Sequence, residues 1–76
     1  MNPFKDVVVK EGYTLLALVS DGAFYHAIIN RNSKYEPYVY CYGYDITDGV
    51  WGQGHYYDTY AEAANDLAHH IGIMED

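Results

Sequence analysis

The chain has 76 residues, of which half are hydrophobic and 17% are aromatic, and it carries a formal net charge of −7. This length predicts one domain spanning residues 1–76, near the lower limit at which a chain folds without disulfides or a bound metal. The shortage of Lys and Arg argues against nucleic-acid binding and against anionic membrane surfaces, because both depend on neutralising phosphate charge.

The surplus of acidic side chains instead favours a basic partner protein, since opposite charges accelerate the encounter of two proteins. The simpler alternative is that the charge only keeps a small, aromatic-rich protein in solution. A core this small that contains so many aromatic residues also predicts oligomerisation, with a homodimer as the first expectation.

Cys41 is the single cysteine, which excludes a disulfide within the chain and suits a reducing compartment. No apolar run approaches the roughly 18 residues of a membrane span. The first ten residues also lack the features of a signal peptide. We therefore expect a cytoplasmic protein without a membrane partner.

The first two predicted strands form a hairpin. Residues 13–20 read as a strand with two apolar faces, which is typical of a central strand. Strict alternation places four of its residues on one face: Tyr13, Leu15, Ala17 and Val19. The turn follows at Asp21-Gly22, because glycine adopts a positive φ angle without strain. The return strand spans residues 23–31, and the polar, proline-containing segment after it is a loop.

Residues 38–44 read Tyr-Val-Tyr-Cys-Tyr-Gly-Tyr and form the third predicted strand. Alternation predicts that four tyrosines share one face: Tyr38, Tyr40, Tyr42 and Tyr44. Asp48-Gly49 then closes a second hairpin, which leads into the fourth strand at residues 50–57. The glycines of that strand, Gly52 and Gly54, indicate a bulge or a close backbone approach.

The C-terminal helix is the best-marked element. Thr59 and Glu62 form a capping box at its start, and Gly72 is placed to end it. Its apolar stripe consists mostly of small side chains: Tyr60, Ala63, Ala64, Leu67, Ala68 and Ile71. Such a stripe can lie close to a sheet and leave space there for bulky residues. The predicted fold is therefore α+β, a four-stranded antiparallel meander with one C-terminal helix packed on one face (ββββα).

The tyrosine strand has two alternative orientations. If Val39 and Cys41 face the helix, the tyrosines form an exposed aromatic surface. If the tyrosines face the helix, the interaction site moves to the opposite side of the sheet, where Trp51 becomes the main candidate. Tyrosine and tryptophan are enriched at binding interfaces. The predicted partner-binding residues are Tyr38, Tyr40, Tyr42, Tyr44, Trp51 and Tyr56.

No catalytic residue, metal or cofactor is predicted. Cys41 reads as a small buried hydrophobe, since nothing in the spacing places an activating group beside it. His69 and His70 are adjacent on the helix and point about 100° apart, so they do not chelate one ion. Asp66 and His70 have a suitable i, i+4 spacing, and His26 and His55 are possible further ligands, but the sequence does not place a third and a fourth ligand beside them.

Three segments carry a resemblance to known proteins: Tyr42-Gly43-Tyr44-Asp45, Trp51-Gly52-Gln53-Gly54-His55-Tyr56-Tyr57-Asp58 and Glu62-Ala63. They resemble short uncharacterised proteins of Gram-positive bacteria, their phages and mobile elements. In those proteins a Trp/Gly/His/aromatic strand leads directly into a capped C-terminal helix. Small acidic proteins from such elements include inhibitors of host defence, such as anti-CRISPR proteins. The resemblance covers residues 38–71 and implies an inhibitor, with no functional residues to transfer.

Three functions follow as expectations. The first is a non-enzymatic interaction domain, acting as a homodimer or as an inhibitor that binds a basic partner through an aromatic sheet face. The second is a small-ligand binder whose tyrosine face stacks on a sugar or nucleobase ring. The third is an enzyme that uses Cys41 or the histidines.

Overall fold

The computed structural model describes residues 7–72, which form a four-stranded antiparallel sheet followed by one helix. The elements in chain order are β1 (Thr14–Ser20), β2 (Tyr25–Asn30), β3 (Tyr38–Asp45), β4 (Val50–Tyr57) and α1 (Tyr60–Ile71). The strands are ordered β1-β2-β3-β4 across the sheet, so that β1 and β4 are its two edges. The predicted ββββα fold is confirmed.

The helix begins and ends where its sequence signals predict. The Thr59 hydroxyl accepts a hydrogen bond from the Glu62 amide, and the Glu62 carboxylate accepts one from the Thr59 amide. These two bonds satisfy backbone donors that the first helical turn leaves free. Gly72 ends α1 in the left-handed region at φ 80°. Among residues 7–72, no helix is both long enough and apolar enough to cross a membrane.

The tyrosines of the third strand face the helix, which decides between the two predicted orientations. Tyr40 is 1% exposed and packs with Ile28 against Ala63 and Leu67 of α1. We call this set, together with the half-buried residues around it, the helix-side layer. Ala63 is fully buried beneath its neighbours, and its small side chain leaves the space that the Tyr40 ring fills.

The other side of the sheet carries a second buried layer, the opposite-side layer. Its fully buried or nearly buried members are Ala27, Ile29, Val39, Cys41 and Tyr44. Aromatic rings close this layer, since the Trp51 ring stacks on Tyr44 at 6.1 Å between centroids and lies 6.1 Å from Tyr13. The chain therefore covers the sheet side that the helix leaves uncovered.

The prediction that all four tyrosines share one face is wrong for Tyr44. Gly43 adopts a positive φ of 71°, and after it Tyr44 belongs to the opposite-side layer rather than the helix-side layer. The Tyr44 hydroxyl donates to the Val8 carbonyl at 2.7 Å. A left-handed glycine rotates the strand at this point, which strict alternation does not anticipate.

The predicted face of the first strand is also only half right. The pairing of β1 with β2 shifts register between Leu15 and Ala17, which leaves Leu16 as an extra residue. Leu15 therefore packs in the opposite-side layer while Ala17 and Val19 pack in the helix-side layer. A single inserted residue exchanges the two faces beyond it.

We predict that Gly54→Ala disturbs the opposite-side layer. A Cβ at Gly54 would lie 2.9 Å from Trp51 Nε1 and 3.2 Å from a methyl group of Val39. The indole must then move, and we expect the free energy of unfolding to fall by about 1–3 kcal/mol. Urea unfolding would measure this loss, and tryptophan fluorescence would report the displaced ring through a red shift.

Gly52→Ala is the matched control on the same strand. A Cβ at Gly52 would meet only the Tyr42 carbonyl oxygen, at an ordinary 3.6 Å. We expect its stability to stay within about 0.5 kcal/mol of the parent protein. Equal losses for the two substitutions would show that steric contact with Trp51 is not what requires glycine at Gly54.

Candidate functional site

Two of the six predicted partner-binding residues are buried. Tyr40 is 1% exposed and Tyr44 is 3% exposed, so neither side chain can reach a partner on the folded protein's surface. Both were predicted as anchors because the sequence left open which side of the sheet the helix covers. Tyr40 packs in the helix-side layer and Tyr44 packs in the opposite-side layer.

The other four predicted residues retain some exposure. Tyr38 and Tyr42 are half-buried along the helix, where Tyr38 packs edge-on against Tyr60 at 6.2 Å between ring centroids. Trp51 is half-buried on the opposite side. Tyr56 is 43% exposed, which makes it the most accessible of the predicted set.

Tyr56 belongs to a larger exposed group at the end of the sheet where β4 leads into α1. We call this group the tyrosine–carboxylate patch, and it consists of Tyr35, Tyr56, Tyr60, Glu36, Asp58 and Glu62. Tyr35 is 70% exposed and Tyr60 is 42% exposed. Solvent thus meets three phenol rings and three carboxylates at this end of the molecule, together with Arg31 and Lys34, which lie over the rings of Tyr56 and Tyr35.

Arg31 and Asp58 hold this patch in place. The Arg31 guanidinium donates to the carbonyls of Tyr35 and Glu36, at 2.9 Å each, and lies 4.8 Å from the ring centroid of Tyr56. The Glu36 amide donates to the Asp58 carboxylate at 3.2 Å. These contacts fix the β2–β3 loop against the end of β4, so that the exposed rings are positioned in advance of binding.

Sequence reasoning missed Tyr35 and Tyr60 as surface residues. Tyr35 sits in a polar loop, where a lone tyrosine in the pattern gives no periodic signal. Tyr60 matched the apolar stripe of the helix, yet at the first helical position its ring has only an edge-on contact with Tyr38 and stays 42% exposed. The sequence does contain one sign that Tyr60 is exposed, because this residue directly follows the polar pair Asp58-Thr59 at the start of the helix.

A buried relay of three polar side chains lies beneath the other end of the helix. His26 is fully buried, and its ring contacts Asp21 through Nε2 at 2.7 Å and the Tyr40 hydroxyl through Nδ1 at 2.6 Å. Because a carboxylate only accepts, Nε2 donates to Asp21, and in the neutral ring Nδ1 accepts from Tyr40. The order resembles a carboxylate–histidine–hydroxyl relay, but the buried Tyr40 hydroxyl has no access to a substrate.

The relay shifts the pKa values of its outer members. The hydrogen bond from His26, with those from the Phe24 and Ala23 amides, holds the pKa of Asp21 well below its usual range. Burial raises the pKa of the Tyr40 phenol well above its usual range. Asp21 is thus charged and Tyr40 neutral throughout the physiological pH range.

Asp66 connects the helix to β4 through a second polar cluster. Its Oδ2 accepts hydrogen bonds from His55 at 2.6 Å and from the Tyr57 hydroxyl, and its Oδ1 lies 3.0 Å from His70 Nδ1. Burial alone would raise the pKa of Asp66, but the bonds from Tyr57 and His55 outweigh it and lower the pKa below its usual value. The hydrogen bond between the Tyr57 hydroxyl and Asp66 also raises the pKa of Tyr57 to about 12.

A groove opens beside this cluster, between β4 and α1. It has a volume of about 300 Å³ and is lined by Tyr57, Glu62, Asn65, Asp66 and His69. Two of its five lining side chains are carboxylates. The groove adjoins the tyrosine–carboxylate patch through Glu62, which belongs to both.

Cys41 does not have the environment of a reactive thiol. Cys41 is fully buried, and desolvation raises the pKa of its thiol to about 12. Thiolate is the nucleophilic form of cysteine, so this thiol is inert in the folded protein. Within residues 7–72, no three His, Cys, Asp or Glu side chains come together in a way that could hold a metal ion.

Comparison with protein-family models, with curated proteins and with solved structures gave no match to this chain.

We predict that Asp66→Asn weakens the acid dependence of stability. Asp66 has a lower pKa in the folded state than in the unfolded state, so its contribution is complete above the unfolded pKa of 3.8 and is lost as pH falls through the folded value. Urea unfolding at pH 5 and pH 2.5 should therefore show a smaller loss for the variant than for the parent protein. At pH 7 the variant should be about 1–3 kcal/mol less stable, because charged acceptor bonds are removed.

Asp48→Asn, at an exposed aspartate of the β3–β4 hairpin, is the matched control. It removes the same charge without touching the helix–sheet contact. If both variants changed the acid dependence equally, net charge rather than the Asp66 cluster would be responsible.

We also predict that Cys41 reacts only after the protein unfolds. At pH 8 an aromatic disulfide reagent should label the native thiol at least about 100-fold more slowly than the thiol of urea-unfolded protein, because burial suppresses both access and ionisation. Absorbance of the released thiol would measure the two rates. Similar rates would mean that Cys41 is accessible, and they would restore its candidacy as a nucleophile.

Proposed function

We propose that this protein is a non-enzymatic interaction domain that binds a basic partner protein through the tyrosine–carboxylate patch. The observation that carries the proposal is the grouping of three exposed tyrosines with three carboxylates at one end of the sheet. Tyrosine contributes a large contact area with few rotatable bonds, and carboxylates pair with Lys and Arg.

The charge of the whole chain supports the same partner class. A net charge of −7 on 76 residues creates a negative field that attracts basic proteins and repels acidic ones. Binding should therefore weaken as salt is added, because the Debye length falls to about 8 Å at physiological ionic strength. Tyr56, which the sequence predicted as a partner-binding residue, belongs to this patch.

The biological role in this proposal is that of an inhibitor that occupies a basic surface of its target. The sequence resemblance to small phage and mobile-element proteins supports an anti-defence role. The buried, unpaired Cys41 is compatible with a reducing cytoplasmic location. The proposal includes neither direct nucleic-acid binding nor a membrane partner, on the ground of the same negative charge.

A homodimer remains part of the proposal, although one argument for self-association is now weaker. Self-association was expected because a core this small needs additional burial. The structure fills both sides of the sheet from within the chain, with Ile29 and Val39 fully buried on the side without the helix. A second copy is therefore not needed to complete the core.

The two alternative functions have less structural support. Stacking of a sugar or nucleobase needs open ring faces, and α1 covers Tyr40 while Tyr42 packs against Phe24 and the ring of His70. Enzyme chemistry at Cys41 would need an accessible thiolate, which its burial and raised pKa oppose.

Selection of displayed random peptides on the immobilised protein tests the proposal. We expect Lys- and Arg-rich peptides to be enriched, and their affinity to fall at least about 10-fold when Tyr35 and Tyr56 are both replaced with serine, since exposed tyrosines act as interface anchors. Raising the salt concentration should also weaken binding. Biolayer interferometry with the selected peptides would measure both effects.

Tyr25→Ser is the matched control, because Tyr25 is 37% exposed but lies at the other end of the sheet. Its affinity for the selected peptides should match that of the parent protein. Enrichment of acidic or uncharged peptides, or an equal loss for the Tyr25 variant, would contradict the proposed patch. Light scattering over a range of protein concentrations would establish separately whether a homodimer forms.

A further inference from the structure

We infer that the basic partner contributes an extended segment that pairs, as a fifth strand, with the edge of β4 that no other strand of residues 7–72 covers. The inference rests on the proposed function and specifies how the partner binds. Strand addition to a sheet edge is a recurring mode of peptide recognition, in which backbone hydrogen bonds supply affinity and alternate side chains supply specificity.

The β4 edge lacks the features that normally block strand pairing. Its eight residues, Val-Trp-Gly-Gln-Gly-His-Tyr-Tyr, include no Lys, Arg, Asp, Glu or Pro. Its pairing with β3 keeps one register from Tyr38–Tyr57 to Asp45–Val50, although the ladder lacks a pair at Gly43, where the strand rotates. Natural edge strands are usually protected by charges, proline or bulges.

The other edge is less suitable. β1 is interrupted by the bulge at Leu16, which bends the strand and breaks its ladder of backbone groups. The β4 edge therefore offers the longer row of backbone donors and acceptors in a single register.

Charge complementarity identifies the occupant. Asp45 and Asp48 lie beside the start of β4, and Asp58 follows its last residue, so that an uncharged strand is bordered by carboxylates at both ends. The groove beside β4 on the helix side adds Glu62 and Asp66. A segment with Lys or Arg at its ends and β-favouring residues between them satisfies this arrangement.

The two sides of the added strand would meet different surroundings. On the helix side, a Lys or Arg side chain would enter the groove lined by Glu62 and Asp66. On the other side, a cavity of about 200 Å³ is lined by Lys10, Gly49, Val50 and Trp51. Lys10 disfavours a second cation there, so this side accepts apolar side chains.

A second copy of the chain fits the edge less well than a basic segment does. An antiparallel pairing of β4 with β4 about a two-fold axis places the start of one strand beside the end of the other. Asp48 of each copy would then lie near Asp58 of its partner copy, and both copies carry the same net charge of −7. Like charges facing each other across a strand pair are destabilising.

A synthetic peptide with the sequence Arg-Thr-Val-Lys-Val-Thr-Val-Arg, capped at both ends, tests the inference on the intact protein. Alternation places its central Lys and its apolar residues on opposite sides. At saturating peptide, we expect every second amide of β4 to exchange its hydrogen at least about 10-fold more slowly, as measured by NMR. The amides of β1 serve as the internal reference and should not change.

Substitutions at an exposed position of β4 and in the groove separate strand pairing from general charge attraction. Gln53→Lys places a cation on the β4 edge and should lower peptide affinity at least about 10-fold. Thr14→Lys makes the same change of net charge at an exposed position of β1, the other edge strand, and should lower the affinity far less. Equal losses for the two variants would show general charge attraction and overturn strand pairing. Glu62→Gln keeps a residue that can complete the capping box but removes a groove charge, so it should weaken binding about 3–10-fold.

The outcomes distinguish this inference from the proposed function. If the peptide binds and the serine substitutions at Tyr35 and Tyr56 weaken it while β4 exchange is unchanged, strand pairing is overturned and the proposed function stands. If no basic peptide binds, both fail. If β4 amides are protected without peptide in a concentration-dependent way, a second copy occupies the edge and the inference is wrong.

Discussion

The burial of the Tyr40 ring beneath an alanine-rich helix is the interaction on which the rest of this structure depends. Ala63 and Leu67 form the helical surface over the ring, and a larger residue than alanine at the first position would collide with it. The hydroxyl of Tyr40 is buried with the ring, which would be costly without a partner. His26 supplies that partner, and Asp21 in turn holds the histidine.

This choice of face determines where the molecule can interact. With the tyrosines facing the helix, the other side of the sheet must be covered by Tyr13, Trp51 and the segment around Val8. Both broad faces of the sheet are then used for folding. The proposed interaction sites therefore lie at the margins of the sheet, which are the β4 edge and the end that carries exposed tyrosines and carboxylates. Carboxylates can lie at these margins because the core does not need apolar surface there.

The sequence predicts where the helix and the strands lie better than it predicts which side of the sheet each residue faces. The capping box at Thr59, the terminating Gly72 and the two Asp-Gly turns are local signals, and the helix and strands lie where these signals place them. The side on which a strand residue lies can be predicted only while side chains alternate regularly. This alternation is interrupted at Leu16 and again at Gly43. Neither interruption has a unique local signature, because a leucine in an apolar strand and a glycine between tyrosines both occur in regular strands. Two of six candidate anchors, Tyr40 and Tyr44, were consequently assigned to the surface when they belong to the core.

The amino-acid sequence by itself determined the order of elements, the ββββα class, the acidic character and the small-residue stripe of the helix. These properties follow from composition and from contacts within a few residues along the chain. Only the tertiary structure decided that the tyrosines face the helix, that Asp21, His26 and Tyr40 form one relay, and that Tyr35, Tyr56 and Tyr60 share one end of the molecule. Those arrangements join residues that are distant along the chain, such as Tyr40 and His70, and they depend on how the layers pack, which no local pattern in the chain encodes.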